Sequence, residues 1–194
     1  MKFFKNMLLR DKHVCPWWLA YTFDNPLRSW LHGTRKILGP YLKEGMTAVD
    51  IGCGMGFFSR GMAKIVGDGG RVIAVDLQQK MLDILMKRAL QDGVAHRILL
   101  HRAVQGDIGV MEQADFVLAF WMAHEVEDER TFFKQIFAIL KPTGTLLIAE
   151  PRMHVSRARF EELLSLAREA GFVESDFPRI GFSRAAVLKK AGPS

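Results

Sequence analysis

Short apolar runs alternate with amphipathic stretches along most of the chain. The runs near 47–51, 71–75, 97–101, 115–120 and 144–149 are rich in aliphatic residues and short enough to be strands buried on both faces. Between and after them, apolar side chains recur at helical spacing in four sets: Phe58, Gly61, Met62 and Ile65; Leu82, Leu85, Met86 and Ala89; Phe133, Ile136, Phe137 and Leu140; Phe160, Leu163, Leu164 and Ala167. This alternation predicts a parallel sheet covered by helices on both faces, with a ligand crevice at the C-terminal ends of the strands. After Gly171 the pattern changes. Phe172-Val173 and Ala185-Ala186-Val187-Leu188 are apolar with no helical stretch between them, which predicts a hairpin.

The first strand runs into Asp50-Ile51-Gly52-Cys53-Gly54-Met55-Gly56, a turn with glycine at every second position. Glycine lets a backbone turn sharply and come within contact distance of a ligand, so this loop marks a small-molecule site. A dinucleotide loop needs Gly-x-Gly-x-x-Gly, and its third glycine would fall on Phe57. A P-loop needs Gly-Lys-Ser/Thr after four spacers, and none follows Gly52 or Gly54. Instead Asp50 stands two places before the first glycine, where a carboxylate repels phosphate and attracts an ammonium group. A second acid, Asp76, ends the run Arg71-Val72-Ile73-Ala74-Val75, placed to accept both hydroxyls of a ribose.

The pattern Asp-x-Gly-x-Gly-x-Gly resembles the cofactor loop of class I S-adenosylmethionine-dependent methyltransferases. Asp76 and the segment Leu140 to Glu150, with the look of a helix end, a Pro-Gly-type turn and a fifth strand, extend the likeness over about residues 33–190. Thr143 departs from it, standing where the family more often has glycine. The resemblance implies a Rossmann-like, doubly wound seven-stranded sheet, mostly parallel with an antiparallel C-terminal strand inserted beside the fifth. It also implies S-adenosyl-L-methionine as cofactor. Gly52, Gly54 and Gly56 would then bring main-chain amides to the methionyl carboxylate, with Cys53 a small residue in the tight turn; Asp50 would answer the ammonium, and Leu77 would wall the adenine. The family usually reads the adenine edge with an acid after the third strand, but here Arg102-Ala103 follows. The backbone of Arg102 and Ala103, or else Gln105 or Asp107, must take that place.

Past the fourth strand, Phe120 and Trp121 stand where the sulfonium should lie, either facing the cation or lining the core. If the acceptor must lose a proton, His124, Glu125, Glu150 and His154 are the groups placed to take it. His124 can equally cap a helix, and Glu150 can equally hold a neighbouring side chain.

A chain of 194 residues, 49% apolar and 25% charged, suits one buried core. Residues 1–45 read as an N-terminal extension that folds over the site as a lid, and 46–194 as the cofactor-binding domain. The extension carries seven aromatic residues (Phe3, Phe4, Trp17, Trp18, Tyr21, Phe23, Trp30), and with Lys2, Lys5 and Arg10 it suits at most a weak contact with a membrane surface. The longest apolar run, Phe116 to Ala123, is eight residues, against the roughly 20 that span a bilayer. Met1 to Arg10 lacks a secretory core, so the expected location is cytoplasmic. Two cysteines, Cys15 and Cys53, make no paired-cysteine zinc site, and packing explains Cys15 beside His13 better than metal binding does. The net charge of +6 comes from basic residues scattered along the chain, an ordinary solvated surface rather than a nucleic-acid stripe. The expected function is therefore methyl transfer to a small-molecule acceptor. RNA methylation, or a silent fold that binds the cofactor as a sensor or partner subunit, are the alternatives.

Overall fold

A computed structural model describes residues 33–192. The expected lid up to residue 32, with its aromatic run and the His13–Cys15 pair, lies outside them. In chain order the elements are α1 (Thr34–Leu38), β1 (Thr47–Ile51), α2 (Phe57–Val66), β2 (Arg71–Asp76), α3 (Gln79–Gln91), β3 (Ile98–Arg102), β4 (Ala114–Phe120), α4 (Glu129–Ile139), β5 (Leu140–Pro151), α5 (Arg157–Glu169), β6 (Phe172–Asp176) and β7 (Ser183–Lys190). They build a seven-stranded sheet of order β3-β2-β1-β4-β5-β7-β6. All neighbours from β3 to β5 pair parallel, and β7 runs antiparallel to both β5 and β6.

Period-two alternation sorts the side chains into two cores. On one face Val49, Ile51, Val117, Ala119 and Ile148 pack under α4 and α5, through Phe133, Ile136, Leu163 and Leu164. On the other, Ala48, Phe116, Leu118, Leu147 and Val187 pack under α1, α2 and α3, through Leu38, Phe58, Met62, Leu82 and Leu85. Thr34 and Gly61 let α1 and α2 touch: a Cβ on Gly61 would lie 2.5 Å from the Thr34 hydroxyl. Asp128 starts α4 by accepting the Thr131 amide at 3.0 Å, and Ser156 starts α5 by accepting that of Arg159 at 3.1 Å.

Leu140, placed by its spacing on a helix, opens β5 instead. It pairs with Ala114, and the next register pair is Phe116 with Thr145, so Lys141 to Gly144 bulge out of the ladder where a free turn was expected. The predicted hairpin is present as β6 and β7. Strand order reverses at β1, which lies between β2 and β4, so the crevice of a doubly wound sheet opens above its C-terminal end. Among the described residues no helix is long and apolar enough to cross a membrane. Among them, too, no three His, Cys, Asp or Glu side chains converge as for a metal ion.

Candidate active site

The glycine loop is pinned at its start, where the amides of Gly52 and Cys53 both donate to the Val75 carbonyl, at 2.9 and 3.0 Å. Each glycine is required for a different reason. Gly52 has φ +70° and Met122 packs against it: a Cβ there would lie 2.8 Å from Met122 Cγ. At Gly56, with φ +81°, a Cβ would lie 2.4 Å from Leu85 Cγ, so this position sets how closely the loop meets α3. Gly54, φ +52°, has nothing within 4 Å of its would-be Cβ and faces open space.

Asp76 holds the loop from the side. Its Oδ2 accepts the Gly54 amide and its Oδ1 the Gln78 amide, both at 2.9 Å, which leaves acceptor capacity on each oxygen. Burial pushes its pKa up, against the pull of the amides of Gln78, Gly54 and Leu77. Asp50 is 2% exposed and lies at the base of the loop, where its Oδ2 accepts the Ser59 hydroxyl at 2.5 Å from the first turn of α2. Burial, with the nearby charges of Asp50 and Asp76, pushes the Cys53 thiol well up, so Cys53 is a neutral packing residue and no nucleophile. Helix α2 begins at left-handed Gly56 with no side-chain cap.

Leu77 stands beside Asp76, and its carbonyl accepts Arg102 Nε at 3.4 Å. The Ala103 amide donates to the Asp76 carbonyl at 3.1 Å. Asp107 closes its own turn, exchanging main-chain bonds with Val104 and accepting the Gly109 amide at 2.8 Å. Phe120 lies in the core with its ring 4.4 Å from that of Phe58, and Trp121, 5.4 Å further on, is the more exposed ring.

Past β4 a single turn, Ala123–Glu125, meets the end of β5. Glu150 is fully buried there. Its Oε1 accepts the Ala123 amide at 2.9 Å, and its Oε2 makes a short hydrogen bond with His124 Nδ1. A carboxylate at Nδ1 keeps the ring proton on that nitrogen and leaves the Nε2 lone pair for other work. Burial opposes protonation of His124, but the hydrogen bond and charge of Glu150, with the charges of Glu125 and Glu129, outweigh it and raise the pKa. The His154 ring lies parallel to that of His124 within 5°, with centroids 6.1 Å apart. Of His124, Glu125, Glu150 and His154, which the sequence offers one by one, the structure joins His124 to Glu150, stacks His154 on His124 and places the charge of Glu125 near the His124 ring. Sequence reasoning misses Ser59 and Ser183, hydroxyls nine and 62 residues from the side chains they bind, Asp50 and Trp121.

A doubly wound, mostly parallel seven-stranded sheet with β7 inserted antiparallel between β5 and β6 is the class I methyltransferase fold. The family described as methyltransferase domain matches residues 49–148, and the chain belongs to it. The chain is 33% identical over 110 residues to a demethylmenaquinone methyltransferase of Lactobacillus johnsonii, covering 56% of this chain and 45% of that one. It is 32% identical over 123 residues to the ubiquinone/menaquinone biosynthesis C-methyltransferase UbiE of Neisseria meningitidis serogroup B, covering 63% and 49%. The chain thus spans about half the length of the curated relatives it matches. A solved S-adenosylmethionine-dependent methyltransferase from Aquifex aeolicus shares the fold with a TM-score of 0.80 at 22% identity, over 90% of this chain and 98% of that one.

Proposed function

We propose that the chain binds S-adenosyl-L-methionine across β1 and β2 and methylates a small-molecule acceptor seated between the ends of β4 and β5. The observation that carries this is the pair Asp76 and Gly54: a half-buried carboxylate with acceptor capacity on both oxygens, beside a backbone position that opens into empty space. In this reading Asp76 accepts the ribose hydroxyls, Leu77 walls the adenine, the first amides of α2 receive the carboxylate, and Asp50, oriented by Ser59, holds the ammonium. The Ala103 amide is already committed, so the loop after β3 offers the adenine carbonyl acceptors instead of donors.

When bound, the cofactor supplies an electrophilic methyl group on a sulfonium. The chain's own task is to hold the acceptor in line, exclude water and remove a proton. His124 Nε2 is the general base, and Glu150 is its positioning residue, fixing tautomer and ring at once. The two quinone-pathway relatives make a ring carbon or hydroxyl of a reduced quinone the first acceptor to test.

Titration calorimetry with S-adenosylhomocysteine tests the cofactor half. The wild type binds, and Asp76→Ala weakens binding about 10- to 100-fold, from the loss of charge-assisted hydrogen bonds of roughly 1.5–3 kcal/mol. A wild type that gives no heat overturns the proposal.

A further inference from the structure

Four cations that stand apart in the sequence meet on the outer face of α2. Arg60 and Lys64 lie one turn apart on that helix, on the side away from its buried Phe58, Ser59 and Met62. Helix α1 rests against the same side, where Gly61 admits Thr34, and it adds Arg35 and Lys36 from its last turn. With Asp92, just past the end of α3, these side chains line a cavity of about 400 Å³. Among the described residues Asp92 is the one acid that lines it.

One carboxylate cannot balance this charge. Asp92 Oδ2 lies 2.8 Å from the Lys64 ammonium and 3.7 Å from Arg60 Nη1. Arg60 is held a second time, because its Nε donates to the Gly56 carbonyl at 3.3 Å. That contact fixes the guanidinium, and its Nη2 edge has no partner among the described residues. Arg35 and Lys36 meet no acid among them. A guanidinium fixed at one edge and free at the other, flanked by two unpaired cations, suits the oxygens of a phosphate. The site is concave and of small-molecule size, whereas a nucleic acid needs a long basic stripe.

We propose that the cavity between α1 and α2 is an anion site for a small phosphate-bearing ligand, with Arg35, Lys36 and Arg60 as its donors. Lys64 is held back by Asp92, which also tempers Arg60. None of these side chains holds the cofactor in the methyl-transfer reading, so the two stand or fall separately.

The full chain is titrated with inorganic pyrophosphate by calorimetry. The wild type is expected to bind one equivalent, more weakly as salt rises from about 50 to 200 mM. Replacing both unpaired cations, Arg35→Ala with Lys36→Ala, lowers the affinity about tenfold or more, from the loss of charge-assisted hydrogen bonds. Asp92→Asn does the opposite: it removes a like charge and releases Lys64 and Arg60, so binding tightens about threefold, a gain that misfolding cannot imitate. Glu162→Gln, which makes the same change in net charge on α5 across the sheet, leaves the affinity unchanged. Vesicles containing phosphatidylglycerol distinguish the source of the phosphate: binding that pyrophosphate displaces identifies a lipid headgroup, and absence of vesicle binding with pyrophosphate still bound identifies a free phosphate compound. No heat with pyrophosphate, equal binding by the Arg35–Lys36 double variant, or a gain in Glu162→Gln equal to that in Asp92→Asn overturns the proposal. So does binding of a single-stranded oligoribonucleotide that pyrophosphate fails to displace and the double variant abolishes, which would make this face a nucleic-acid surface.

Discussion

Glu150 is a carboxyl group with no exposure, and a buried acid without partners would cost several kcal/mol. It has two partners, and both lie in the turn that carries His124. The raised pKa of His124 has opposite consequences for activity and stability. As a base the ring works only when neutral, so the rate climbs as pH rises through a value above the ordinary 6.5 or so. As a proton site that binds more tightly in the folded chain, it contributes stability that is complete below about pH 6.5 and lost as pH rises through the folded value. His124→Gln is expected to abolish the ascending limb of the pH–rate profile and to cost more stability at pH 6 than at pH 9 in urea titrations. Glu150→Gln still accepts the Ala123 amide but withdraws the charge, so the limb moves to lower pH and the plateau falls. A profile unchanged in both variants removes His124 from the mechanism.

At the scale of the element, the glycine loop separates stability from binding. Alanine at Gly54 meets no neighbour and pays only for its left-handed backbone, about 1–2 kcal/mol, yet its methyl group intrudes on the space beside Asp76. Alanine at Gly56 pays that cost and also collides with Leu85, for a total of about 2–4 kcal/mol. Chemical denaturation should therefore rank Gly56→Ala well below Gly54→Ala in stability, while S-adenosylhomocysteine affinity falls in Gly54→Ala even where that protein is fully folded. Glycine spacing and the acids at 50 and 76 were legible in the sequence because a strand end and its loop are local, and the strands β1 to β4 lie within a residue of their predicted bounds. The Lys141–Gly144 bulge was not legible, since only the partner strand shows that Leu140 has left the helix. The hydrogen bonds that tie Trp121 and Arg152 to Ser183 were hidden for the same reason: they depend on β7 entering between β5 and β6, and no local pattern encodes that register.

Across the whole molecule the two edges of the sheet have separate tasks. Every candidate site residue lies at or beyond a C-terminal strand end, whereas the N-terminal edge is held by a purely structural clasp. Asp115, at the start of β4, accepts the Thr47 amide of β1 at 2.9 Å and the Lys141 ammonium of β5 at 2.8 Å, so it joins three strands. Burial opposes its ionised form, but the hydrogen bond and charge of Lys141 and the Thr47 amide together hold its pKa below the usual carboxylate range. A depressed carboxyl contributes stability that is present above its unfolded value and lost as pH falls through the folded one. Asp115→Asn is thus expected to cost about 1 kcal/mol or less at pH 7, as befits a partly exposed pair, and the gap to wild type should close in acid. Because the clasp lies a full strand length from the crevice, S-adenosylhomocysteine should bind the variant with wild-type affinity. A weakened affinity at unchanged fold would mean that strand register at one edge sets the loop geometry at the other, and the separation of tasks would then fail.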